Sequence, residues 1–186
     1  MTKVTELIKD MNVNSLRIAR TLAKKGKHVI LHISCELMKS NYLKELLGVL
    51  QGNKIYNLFL ILGENYDSNT SEFESTSQLI KFIKKQTGSY FCIGVAGFPG
   101  CSEEKLVHLK EKIESGADYI LTQAFFEKNT YKAFADQCER LNIKVPIIPG
   151  KIASTIFSTL ESERCRFLIN SSEKFVGTPE IVTGNV

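Results

Sequence analysis

The sequence predicts an α/β protein built on a parallel β-sheet, with about six strands and helices alternating between them. Three observations carry this. Six short runs, at 29–35, 57–63, 91–98, 119–126, 145–149 and 166–170, are β-branched or aromatic and apolar on both faces. Strands of that kind belong to parallel sheets covered by helices. The runs begin 21 to 34 residues apart, room for one helix and two short loops. Helical periodicity fills the gaps: Leu106, Leu109 and Ile113 make an apolar stripe, with Glu103, Glu104, Lys105, Lys110 and Glu111 on the wetter side. Such alternation leaves two architectures, a doubly wound sheet and a barrel.

Asn14-Ser15 caps a helix before the first strand, running through Leu16, Ile18, Ala19 and Leu22. Gly26, Gly52, Gly88 and Gly116 stand where helices end, the place for a left-handed glycine. Ser102 is placed as an N-cap, and Glu103 and Glu104 suit the helix dipole. Asn129 or Thr130 caps the helix that runs through Tyr131, Phe134 and Cys138 to Leu141, and Ser154 opens the last one. The polar stretch from Asn65 to Glu74 reads as a long surface loop. Residues 1–170 read as one domain and 171–186, with little periodicity, as a C-terminal tail.

Of the 186 residues, 43% are hydrophobic and 24% charged, which excludes a disordered or fibrous chain. Lys plus Arg is 24 and Asp plus Glu 20, and the resulting +4 is too small to imply nucleic acid. The basic residues are interleaved with acids, as on solvated helix faces. Five cysteines without a CxxC pair or clustered ligands predict no metal site and thiols in a reducing compartment. No secretory signal is seen, and the longest apolar stretch, Leu58 to Leu62, is far short of the ~18 residues of a membrane span. Cytoplasm is the expected address, with the mitochondrial matrix as the alternative. Glu6 and Asp10 argue against an organelle-targeting helix.

In a parallel α/β fold the ligand sits at the carboxyl ends of the strands. Those ends supply His32, Ser34, Cys35, Gly63, Glu64, Gly97, Phe98, Thr122, Gln123, Pro149 and Gly150. His32 and Ser34 share a face, while Thr122 and Gln123 point to opposite sides. An imidazole or an amide within an apolar strand is either a satisfied core group or a ligand contact. Gly94 and Gly97 allow close backbone approach. No GxGxxG or GxxxxGK phosphate loop occurs, which argues against a Rossmann dinucleotide site. His28 and His108 read as exposed and without a role.

The stretch Cys92-Ile-Gly-Val-Ala-Gly-Phe-Pro99, then Leu109-Lys-Glu-Lys112, Gly116-Ala-Asp-Tyr-Ile-Leu-Thr-Gln123-Ala-Phe-Phe126 and Val145-Pro-Ile-Ile-Pro-Gly150, closely resembles the methylenetetrahydrofolate reductase family. Upstream, Leu31-His-Ile-Ser-Cys35 looks like that family's His-Leu-Thr-Cys strand, and Leu60-Ile-Leu-Gly63-Glu64 its Ala-Leu-Arg-Gly-Asp strand. The resemblance implies a TIM-type (β/α)₈ barrel that binds FAD and uses NAD(P)H to convert 5,10-methylenetetrahydrofolate to 5-methyltetrahydrofolate. It places Gln123 at the folate, as a catalytic and substrate-binding residue. His32, Gly63, Glu64, Phe98 and Lys112 fall at the flavin, with Glu64 also catalytic.

The sequence departs from that pattern in places. The family's arginine before Gly-Asp is Leu62, its aspartate is Glu64, its Tyr-Pro-Glu turn is Phe98-Pro99-Gly100, and a helix acid near the flavin is Lys105. The Glu-Phe-Phe-Pro strand that supplies the general acid has no counterpart. A whole barrel takes about 250 residues, so the expectation is an incomplete barrel whose first two strands are missing. Six strands cannot close an eight-strand barrel, and a protein partner or self-association would cover the open edges. The expected function is a non-catalytic structural or interaction subunit of a larger assembly. The alternative is an active FAD-dependent reductase.

Overall fold

The computed structural model describes residues 14–125, 127–150 and 180–181. In chain order the elements are α1 (Asn14–Lys24), β1 (Val29–Ser34), α2 (Ser40–Gly52), β2 (Asn57–Ile61), α3 (Thr76–Thr87), β3 (Cys92–Gly97), α4 (Glu103–Glu114), β4 (Tyr119–Thr122), α5 (Lys128–Arg140), β5 (Ile147–Ile148) and β6 (Glu180–Ile181). The fold is α/β, with parallel strands and alternating helices, as the sequence predicts. The strand expected at 166–170 and the helix expected from Ser154 lie outside the described residues. Within the stretch read as a tail, Glu180–Ile181 forms a strand parallel to β1. Two compact units divide the chain, Met1–Ile93 with Gly177–Val186, and Gly94–Val176.

In the first unit β1 pairs in parallel with β2 on one side and β6 on the other. The start of β3 joins through Cys92, whose N–H donates to the Tyr56 carbonyl. Register partners share a face of the sheet. Leu31 with Leu58, and Ile33 with Leu60, are at most 1% exposed. Burying each such side chain stabilises by about 2 kcal/mol. On the other face His32 pairs with Phe59 and Ser34 with Ile61, and His32 and Ile61 are only half-buried. The second face is nearly as well buried, with Ile30, Phe59 and Ser34 at 1%, 7% and 8%, and is more open only at His32 and Ile61.

The helix ends follow local chemistry. Ser75 caps α3 by accepting from the Gln78 N–H, and the Gln78 amide oxygen accepts in return from the Glu74 N–H, close to a capping box. Gly88 closes α3 at φ 59°. Two sequence expectations are corrected. Gly52 is the last residue of α2, not its stop. Asn53 is the cap, and Lys54 takes the left-handed conformation at φ 56°. Likewise α5 starts at Lys128 behind Glu127, ahead of Asn129 and Thr130, because the Thr130 N–H already reaches the Glu127 carbonyl.

In the second unit β4 lies between β3 and β5, parallel to both. Gly94 and Tyr119 are register partners, and a Cβ at Gly94 would run into the Tyr119 ring. On the other face a Cβ at Gly97 would meet Ile120 at 2.5 Å and Phe134 of α5 at 3.0 Å. Both glycines exist for close approach: the Tyr119 ring fills the space at Gly94, and Ile120 with Phe134 that at Gly97. Phe125 stacks on Tyr131 at 5.4 Å, with Ala135 and Ile147 closing that cluster.

Gly94→Ala should cost about 3 kcal/mol through overpacking, although alanine otherwise suits a strand better than glycine. A urea midpoint unchanged from wild type would contradict the ring contact. Leu37, at φ 55° and 66% exposed, is the reverse case. Leu37→Gly relieves left-handed strain without losing burial and should raise stability by about 1 kcal/mol, read from the same unfolding curve.

Candidate functional site

The first unit gathers its polar groups where β1 and β2 end. Pairing runs one residue past β1, with the Cys35 N–H donating to the Ile61 carbonyl. The two following loops therefore leave the sheet side by side. The first turns sharply through Glu36 and left-handed Leu37, with the Met38 N–H returning to the Cys35 carbonyl. The second leaves through Gly63 at φ 106°. A Cβ at Gly63 would sit 2.8 Å from the Glu36 Cβ and 2.9 Å from its Oε2. Glycine is required here twice over, for backbone conformation and for room under the Glu36 carboxylate.

The long loop from Leu62 to Ser75 is tied back over the first. Ser71 Oγ donates to the Cys35 carbonyl at 2.6 Å, and the Glu72 N–H to the Met38 carbonyl at 3.0 Å. Glu72 Oε2 accepts from the Ser40 N–H at 3.0 Å, at the amino end of α2. Phe73 is buried edge-on against Phe82. The two loops enclose a cavity of about 780 Å³ whose lining includes Glu36, Leu37, Lys39, Gly63, Glu64 and Glu72. Three carboxylates thus face one ammonium.

Gly63 and Glu64, read from the sequence, line this cavity; Glu36, Leu37, Lys39 and Glu72 join them unforeseen. Glu36 followed the His32 motif directly, and that adjacency was the available signal. Nothing local marked Glu72, whose role depends on a hydrogen bond 32 residues back along the chain. His32 lies on the partly open sheet face but does not line the cavity. Its ring packs 4.7 Å from Phe59, and its Nε2 is buried with no hydrogen-bond partner among the described residues.

The other sequence-derived residues belong to the second unit. The Gln123 N–H donates to the Gly97 carbonyl at 2.8 Å, and its side chain is exposed at the carboxyl end of β4. Phe98 follows β3 and is 40% exposed, with the Lys105 ammonium 5.7 Å from its ring centroid. The Gly150 N–H donates to Thr122 Oγ1 at 2.8 Å, and a Cβ there would strike the Thr122 carbonyl. Phe98, Gln123 and Gly150 therefore stand at one end of this unit. Lys112 does not join them. It lies in the last turn of α4, where its carbonyl accepts from the Ala117 N–H just before β4 begins.

In the acid range two described groups, Glu72 and His32, couple the first unit to pH. The hydrogen bond from the Ser40 backbone, aided by the Ser40 side chain and by Lys39, holds Glu72 below its ordinary 4.5. Burial pushes His32 below 6.5. Both folded values are depressed, so both contributions are full above the ordinary value and lost as pH falls through the folded one. Thermal unfolding should show stability declining below pH 6.5 and again below 4.5. His32→Phe should flatten the first decline and Glu72→Gln the second. An unchanged profile in either variant would refute that assignment.

Comparison with known proteins agrees with the resemblance in the motifs. The family model described as methylenetetrahydrofolate reductase matches residues 6–166. Methylenetetrahydrofolate reductase 2 of Saccharomyces cerevisiae is 30% identical over 147 residues, 72% of this chain and 24% of the relative. A probable methylenetetrahydrofolate reductase (NADPH) of Caenorhabditis elegans is 34% identical over 138 residues, 67% of this chain and 20% of the relative. The chain thus spans a quarter or less of these two relatives. Among solved structures, PhdJ bound to substrate intermediate aligns at a TM-score of 0.54 and 10% identity, over 74% of this chain and 50% of that one, a likeness of fold alone. No helix among the described residues is long and apolar enough to cross a membrane. With a family model matching most of its length, the chain is a member of the methylenetetrahydrofolate reductase family.

Proposed function

We propose that this chain is part of a TIM-type barrel wall that serves as a non-catalytic interaction subunit and does not hold FAD by itself. The charge of the carboxyl-end cavity carries this reading. FAD brings two phosphates, yet the cavity presents Glu36, Glu64 and Glu72 against Lys39 alone. Like charges brought together repel. Leu62, 41% exposed, stands where the family resemblance has an arginine. These residues do not fit the pyrophosphate of the cofactor.

A second reading is an FAD-dependent reductase that takes electrons from NAD(P)H and forms 5-methyltetrahydrofolate. Its support is the exposed Gln123 side chain, free to meet a folate, and the unpartnered Nε2 of His32. In that reading Glu64 and Gln123 act on the folate, and His32, Gly63, Phe98 and Lys112 serve the flavin.

Flavin binding separates the two. The purified chain should be colourless and leave FAD fluorescence unquenched, with any Kd weaker than about 100 μM. Leu62→Arg should tighten FAD binding by about tenfold, by restoring a charge-assisted phosphate contact. A yellow protein carrying stoichiometric FAD would overturn the non-catalytic reading.

A further inference from the structure

We propose that residues 62–75, the loop after β2, form a strap that opens as a unit while the sheet stays folded, with Glu72 as its latch. Opening carries Glu64, Asn65 and Glu72 out of the wall of the carboxyl-end cavity, so the strap sets access to the ends of β1 and β2. Such a strap acts whether or not the chain holds a flavin.

The loop is fastened through three consecutive residues. Ser71 Oγ donates to the Cys35 carbonyl at 2.6 Å and accepts from the Phe73 N–H at 3.1 Å. The Glu72 N–H reaches the Met38 carbonyl, and its Oε2 accepts from the Ser40 N–H. Phe73 alone of residues 62–75 is buried. The turn before these residues closes on itself, with Asp67 accepting from the backbone of Asn69, Thr70 and Ser71. Gly63, at φ 106°, lies at the other end, where glycine takes up a large dihedral change without steric cost. One buried ring and a few hydrogen bonds hold the loop, whereas Leu31, Ile33, Leu58 and Leu60 seal the sheet at no more than 1% exposure. Segments with few buried apolar contacts open at a lower free energy than the core.

Two side chains pull the closed state in opposite directions. The Glu72 carboxylate makes a charge-assisted bond at the amino end of α2, where the helix dipole favours an anion. Glu72 is exposed, so water competes for that bond and the latch releases without disturbing the sheet. Tyr66 acts against closure. Its hydroxyl is buried with no hydrogen-bond partner among the described residues. A hydroxyl removed from water without a partner destabilises the state that buries it, and opening rehydrates it.

The test is amide hydrogen exchange on the full chain, followed residue by residue through rising urea below the unfolding transition. We expect the amides of residues 72 and 73 to exchange through an opening that urea barely alters, while those of β1 and β2 follow global unfolding. Glu72→Gln keeps the shape and removes the charge, and should speed exchange at residues 72 and 73 severalfold. Tyr66→Phe removes the unpartnered hydroxyl and should slow exchange there severalfold. Protection of β1 and β2 is the internal measure of folding in each variant. Exchange at residues 72 and 73 that rises with urea in step with β1 and β2 overturns the strap, because loop and sheet then open together. So does a Glu72→Gln chain that exchanges there at the wild-type rate, or a Tyr66→Phe chain that exchanges no more slowly.

Discussion

The parallel register of β1 and β2 governs the first unit. Leu31 and Ile33 are sealed on one face only because Leu58 and Leu60 stand level with them. A slip by one residue would exchange the two faces, putting His32 and Phe59 where that apolar set now packs. The same register brings Ser34 level with Ile61. The two loops therefore start from one height and can share a cavity. Packing in the sheet and geometry at the strand ends are one constraint.

Glycine expresses that constraint in each unit. Gly63 gives way to the Glu36 carboxylate, and Gly94 to the Tyr119 ring. In both places the space taken from one residue is filled by the side chain of its neighbour across the strands. The loop after β2 then adds a second layer. Its hydrogen bonds to Cys35, Met38 and Ser40 turn a polar surface stretch into a cavity wall, with Phe73 as its buried anchor. Glu72 occupies the amino end of α2, a place suited to an anion, and so leaves it filled from within.

Family membership and local chemistry operate at different levels. The match to the family model runs over residues 6–166, while the strand-end loops are shaped by contacts of this chain's own, such as Glu36 over Gly63. A fold can keep its frame while its strand ends are turned to another use.

The sequence by itself determined the strands, the helices between them and which residues would stand at the carboxyl ends. These are local patterns of apolar spacing, legible over a few turns of chain. Gly63, Glu64 and Gln123 were found that way, and so was the loop from Asn65 to Glu74. Tertiary structure alone decided that Glu36 lies over Gly63 and that Glu72 reaches Ser40 across 32 residues. It also decided that the His32 Nε2 is buried while its ring is only half-covered, that Lys112 stands apart and that Lys54 rather than Gly52 turns left-handed. Each depends on which loops the register brings together, a long-range relation that no local periodicity contains.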